Sequence, residues 1–299
     1  MTTRASSELV PPVAFVKRRY SIASILAELW DSRDLVMQFI QRDLTVRYTQ
    51  AVMGFAWALL MPILIVCAGL VFRLVVSTLS GRPLEGASIA SLAVKSLPWA
   101  FFSGALNSAT QSIIGNANLI GKIFFPRESL PIATVLAQCT DLFVGLIVVA
   151  VVLPIIGISL PITTLWAVVV LLLLIVFTTG CALVLSCANL FYRDVKYIMQ
   201  VVLNFGVFAT PVFFEPQMLG PKGAGVMLTL PLSPFIQAMD LAIVRGHNLL
   251  SPLTVESAKG PIQIWAPWML GYATVTSVLI FCLGLLVFRG ASARFAEMA

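Results

Sequence analysis

Arg42, Asp43, Arg47 and Tyr48 crowd the end of an amphipathic stretch, RDLVMQFIQRDLTVRY, just before the chain enters an uncharged apolar run from Ala51 to Phe72. Guanidinium groups at such a junction suit phosphate, because their planar fork donates paired hydrogen bonds and keeps its charge at any working pH. Asp43 and Arg47 are also spaced i, i+4, where an ordinary intrahelical ion pair contributes about 0.2–0.5 kcal/mol. Two readings follow: a pair that neutralises itself, and a cationic gate in which Arg47, with Arg42 and Tyr48 nearby, meets the phosphate of an anionic lipid.

Other residues with chemistry to offer are few. Asp141 lies about ten residues inside an apolar run, near mid-membrane depth at about 1.5 Å per residue. A carboxylate there is costly and marks a functional site by default. With no cation in sight in the same run, the plainer reading is a neutral or hydrogen-bonded Asp141 that holds helices together through polar neighbours such as Asn107 and Gln111. GNANLIGKI, Gly115 to Ile123, has one residue too many between its glycines for a phosphate loop, and an isoleucine where a hydroxyl must reach magnesium. This chain therefore does not hydrolyse ATP by itself. His247 is the single histidine, so a membrane-embedded transferase built on a histidine or carboxylate cluster is disfavoured. The five cysteines fall in apolar runs as small hydrophobes, with no metal-binding spacing.

The elements that must position these groups belong to a membrane. Of 299 residues, 59% are hydrophobic and 11% charged, against about 25% charged in soluble domains. The net charge of +6 would suggest nucleic acid in a soluble chain. Here the basic residues flank apolar runs, which reads as topology signals and contact with anionic headgroups, with no nucleic-acid partner. Residues 1–27 lack an apolar core and cleavage site and read as a cytoplasmic tail. Over 28–50, helical projection gathers Leu35, Val36, Phe39, Ile40, Leu44 and Val46 on one face, with Asp43 and Arg47 intruding on it, which predicts a helix lying in the cytoplasmic interface.

Residues 51–290 then form an all-α domain of six transmembrane helices: 51–72, 97–114, 130–156, 165–187, 198–214 and 268–288. Arg73 caps the first by snorkelling. Residues 116–131 are too polar to cross. Phe124, Phe125 and Pro126 form a stiff apolar knob there, with Lys122, Arg127 and Glu128 to orient it in a partner's cleft; an ordinary amphipathic loop is the alternative. Residues 215–264 hold apolar halves split by Pro231 and Pro234, each too short to cross, which predicts re-entrant helices on the outer side. Residues 291–299 form a second tail. Thirteen of the nineteen lysines and arginines fall on the side of the two termini, making both termini cytoplasmic.

Three stretches carry a resemblance. RDLTVRYTQAVMGFAWALLMP, LIGKIFFPRESLP and NLFYRDVKY resemble, in sequence and order, the signatures of type-2 ABC exporter permeases that move polyprenyl-linked polysaccharides such as O-antigen, capsule and teichoic acid. The similarity runs from about residue 30 to 290 and departs at Ser233-Pro234, where the family often has Asn-Pro. It implies an inner-membrane homodimer bound to two nucleotide-binding subunits, which hold the ATP and magnesium; no cofactor belongs to this chain. It further implies a channel at the dimer axis, lined by aromatic faces that suit sugar rings: Tyr48, Phe55, Trp57, Phe205 and Phe208. Export of a lipid or drug by the same machinery is the alternative, and an ATP-independent transporter a more distant one.

Overall fold

A computed structural model describes residues 21–48, 56–80, 86–120, 125–257 and 260–298. The chain folds mostly as helices, the form that satisfies every backbone N–H and C=O within one segment of apolar sequence. Two amphipathic helices come first, α1 (Ile22–Asp31) and α2 (Arg33–Tyr48), followed by α3 (Ala56–Ser80) and α4 (Gly86–Thr110). Two short helical turns, α5 (Ser112–Gly115) and α6 (Ala117–Ile120), lead toward α7 (Ser129–Ile155). A 3-10 turn then opens α8 (Trp166–Phe191), and α9 (Val195–Ala209), α10 (Pro216–Thr229) and α11 (Ser233–Ile243) follow. Strands β1 (Leu253–Ser257) and β2 (Gly260–Trp265) precede α12 (Pro267–Met298).

Among the described residues, four helices are long and apolar enough to cross a membrane: α4, α7, α8 with its preceding turn, and α12. The pair α10–α11 is a fifth candidate, bent by 110° where Leu230, Pro231 and Leu232 interrupt it. In α3, a helix of 25 residues, the fully described apolar piece is Pro62–Thr78, and α9 is a shorter apolar helix of 15 residues. The six-span expectation thus needs α3 and α9 as spans beside these four.

Three expectations are corrected. The chain is not wholly helical: β1 and β2 form an antiparallel hairpin with a bulge between Leu253 and Thr254. Alternating Val255, Ile262 and Ile264 favour strands there, and the buried Trp265 donates its Nε1–H to the Leu249 carbonyl at 2.8 Å. Arg73 does not end the first apolar helix, which continues to Ser80; its side chain is buried against Glu215 at 3.0 Å. The second apolar helix begins at Gly86 rather than Leu97, so Lys95 lies inside it.

Glycines set the closest helix contacts. α8 and α12 run parallel, since Leu173 meets Ser277 and Gly180 meets Ile280, Phe281 and Gly284. A Cβ on Gly180 would stand 2.5 Å from the Phe281 backbone nitrogen, so only a side chain of this size lets the two backbones approach. α4 and α7 are antiparallel, with Leu97 over Gly145 and Gln138 over Gly104. α11 is buried along its whole length. A second apolar cluster, including Ile25, Phe39, Ile113, Leu130, Cys187 and Phe288, ties α1 and α2 to one end of the bundle.

Candidate functional site at the α2–α7 junction

Helix α2 turns the predicted face inward. Phe39 is buried, Leu35, Val36 and Ile40 pack around it, and Val46 alone of that set is largely exposed. Asp43 and Arg47 lie on the inward side as expected, but they do not pair with each other. Asp43 accepts from Arg42 Nη2 at 2.8 Å and stands 3.4 Å from Thr134 Oγ1. Arg47 reaches across to α7, donating from Nη1 to Asp141 Oδ2 at 2.8 Å and to Gln138 Oε1 at 2.9 Å. The progression from Asp43–Thr134 to Arg47–Gln138 shows α2 running parallel to the first half of α7.

Asp141 is the centre of this junction. Besides Arg47 it receives hydrogen bonds from the Tyr48 hydroxyl and from Gln138 Nε2. The expectation that it leans on Asn107 or Gln111 is corrected: its partners are a guanidinium, a phenol and an amide, because α2 packs close enough to deliver a cation that α7 itself lacks. Burial, with the Asp141 bond adding to it, pushes the Tyr48 phenol up to about 12, which keeps it a donor. Arg47 and Asp141 retain 28% and 15% side-chain exposure, so the pair is open to an incoming ligand.

Behind Asp141 lies a cavity of about 230 Å³ between α3, α4, α7 and α9. Its polar wall is Ser103, Asn107, Gln138, Asp141 and Asn204; Trp99 and Leu203 are among its apolar lining. Asn107 is therefore brought to the Asp141 level, while Gln111 lies past the end of α4 and outside the cavity lining. Gln138 and Asn204 were missed in the sequence, although each is a lone amide in an apolar run and Gln138 is three residues from Asp141.

Arg42 faces elsewhere, donating to Asn116 Oδ1 at 2.8 Å and lying 5.2 Å from the Phe39 ring centre. In the predicted coupling segment, Phe125 meets Phe39 with ring centres 5.6 Å apart. Glu128 turns inward to Arg289 at 2.9 Å, and Arg289 also binds Glu28, so this arginine fastens α1, the start of α7 and α12 to one another. Burial raises the Glu128 carboxyl above its ordinary range even so. Pro126 and Arg127 remain partly exposed. Phe205 and Phe208 stand on the open face of α9, 69% and 51% exposed. Phe55, Lys122 and Phe124 lie outside the described residues, as does the side chain of Trp57.

A second charged cluster escaped sequence reasoning. Lys95 and Asp240, both fully buried, stand 3.4 Å apart between α4 and α11. Asp240 also accepts from Arg245 Nε at 3.3 Å, and Glu215 lies between Arg245, at 3.9 Å, and Arg73. The cluster clamps α3, α4 and the bent pair α10–α11.

Curated relatives include the O-antigen export system permease protein RfbA of Myxococcus xanthus, 27% identical over 81% of this chain and 93% of that relative. Two proteins of the same name from Klebsiella pneumoniae are 21% identical over 95% of this chain and 99% of the relative, and 23% identical over 89% and 95%. The ABC-2 type transporter family model matches residues 34–243, from the first turn of α2 to the last residue of α11. A membrane bundle with an amphipathic helix delivering arginine to its flank, matched over that whole extent, belongs to the ABC-2 type transporter family.

Proposed function

We propose that this chain is the membrane subunit of an ATP-driven exporter that carries a polyprenyl-diphosphate-linked polysaccharide, of the O-antigen kind, out of the cytoplasm. The observation that carries this reading is Arg47, delivered by α2 to the flank of α7 beside a polar-walled cavity and still partly exposed. A diphosphate headgroup entering there meets a guanidinium suited to paired phosphate contacts. The names of the RfbA relatives supply the cargo class.

The subunit works as a homodimer in the inner membrane with both termini cytoplasmic. Two nucleotide-binding subunits supply ATP and magnesium and press on the segment around Pro126 and Arg127. The chain contributes no catalytic group of its own. Exposed Phe205 and Phe208 on α9 offer flat apolar faces to the C–H surfaces of passing sugar rings.

The test is ATPase activity of the chain co-purified with its nucleotide-binding subunit, with and without a polyprenyl-diphosphate glycan. Several-fold stimulation by the glycan, lost in Arg47→Ala while the complex stays assembled, is the expected result. Failure of any ATPase subunit to bind, or unchanged stimulation in Arg47→Ala, overturns the reading.

A further inference from the structure

This inference rests on the phosphate-binding reading of Arg47 and concerns how that arginine chooses its headgroup. An arginine carried on a helix that approaches from the cytoplasmic interface is reached first by phospholipids, whose phosphodiesters are abundant anions. Left free, it would bind them first. In the structure it is not free: Asp141 holds it by an ion pair of 2.8 Å. Tyr48 and Gln138 donate to the same carboxylate. Donors converging in this way on carboxylate oxygens form the setting that phosphate oxygens would also accept.

We propose that Asp141 is a built-in competitor that occupies Arg47 and sets a charge threshold for headgroups, admitting a diphosphate and refusing the single charge of a phosphodiester lipid. Exchange is favourable only when the incoming group interacts with Arg47 more strongly than Asp141 does, so the carboxylate converts an unselective cation into a selective one. Asp141 is a positioning residue here; Arg47 is the one that touches cargo. The placement of Asp141 also links the exchange to the partner side. α7 starts at Ser129, directly after Glu128, and continues unbroken past Asp141, about 18 Å along at 1.5 Å per residue. A displacement of the segment before α7 is carried to the ion pair by one rigid helix.

The test uses the full-length chain and native mass spectrometry of lipid adducts, with phosphatidylglycerol and a polyprenyl diphosphate as probes. Wild type should prefer the diphosphate clearly. If the competitor is in place about nine-tenths of the time, Asp141→Asn should bind phosphatidylglycerol about tenfold more tightly, since the binding-competent fraction rises by that factor. Asp141→Glu, which keeps the charge, should stay near wild type, and Arg47→Ala should lose the diphosphate in either background. A gain of affinity is a readout that loss of a merely structural ion pair does not produce.

Phosphatidylglycerol binding unchanged or weakened in Asp141→Asn, with the diphosphate still lost in Arg47→Ala, overturns the competitor and leaves the phosphate site standing. Diphosphate binding retained in Arg47→Ala sinks the phosphate site itself. Asp141→Ser provides the same comparison if the amide variant does not fold, and failure of both to fold assigns the pair a structural role and overturns the proposal.

Discussion

Replacing either member of the Lys95–Asp240 pair should destabilise the protein, and the two replacements should not cost the same. Both side chains are fully buried, so breaking the pair leaves a charge with no access to water. Asp240 has a second cation, Arg245 at 3.3 Å; Lys95 has no second anion within an ion-pair distance among the described residues. Asp240→Asn therefore strands an ammonium, at about 3–5 kcal/mol, whereas Lys95→Met leaves a carboxylate still neutralised by Arg245, at about half that. At about 2–4 °C per kcal/mol for a chain of this size, Asp240→Asn should melt about 6–20 °C below wild type and Lys95→Met about half as far below. The double variant should recover most of the loss, because a buried pair exchanged for uncharged groups is often neutral. Fluorescence-detected size-exclusion after graded heating, in one detergent, measures all four proteins. Equal losses in the two single variants, or a double variant below the worse single one, would refute the reasoning.

Gly180→Ala should force α8 and α12 apart, because the added carbon meets the Phe281 backbone at 2.5 Å; a loss of about 1–3 kcal/mol is expected in the same assay. Gly271→Ala, which has open space around it, is the comparison and should change little. Glu128 has a carboxyl raised above its ordinary 4.5 chiefly by burial. Its contribution to stability is thus fully present below about pH 4.5 and is lost as pH rises through the raised value. Melting curves of wild type minus Glu128→Gln should decline across that window, and a flat difference counters the burial argument.

The amphipathic logic of α2 was legible because Leu35, Val36, Phe39 and Ile40 repeat at helical spacing and find one apolar cluster. The same projection placed Asp43 and Arg47 on the buried side, yet it could not name their partners. Asp141 is 94 residues from Arg47, and only the packing of α2 along α7 joins them. Lys95 was lost for a different reason. A charge in an apolar stretch reads as the edge of a span, so the second helix was begun two residues after it, at Leu97. In the fold, Asp240 supplies the anion that lets the helix continue through Lys95, and Asp240 sits on the short α11, which Pro231 and Pro234 cut off from the apolar residues before it. The hairpin was missed because Val255, Ile262 and Ile264 give too few alternations to stand out from the surrounding apolar sequence.

The glycine crossing of α8 and α12 has a consequence for biosynthesis. Leu173 and Ser277 are 104 residues apart, and α12 follows the other described elements in the chain. Until it arrives, the flank of α8 around Gly180 is an unfilled seat, with no large side chain to cover it. Insertion of α12 is thus the step that fills this seat and joins the two helices. A nascent chain halted before α12 would display that bare flank to the chaperones and proteases that survey the membrane.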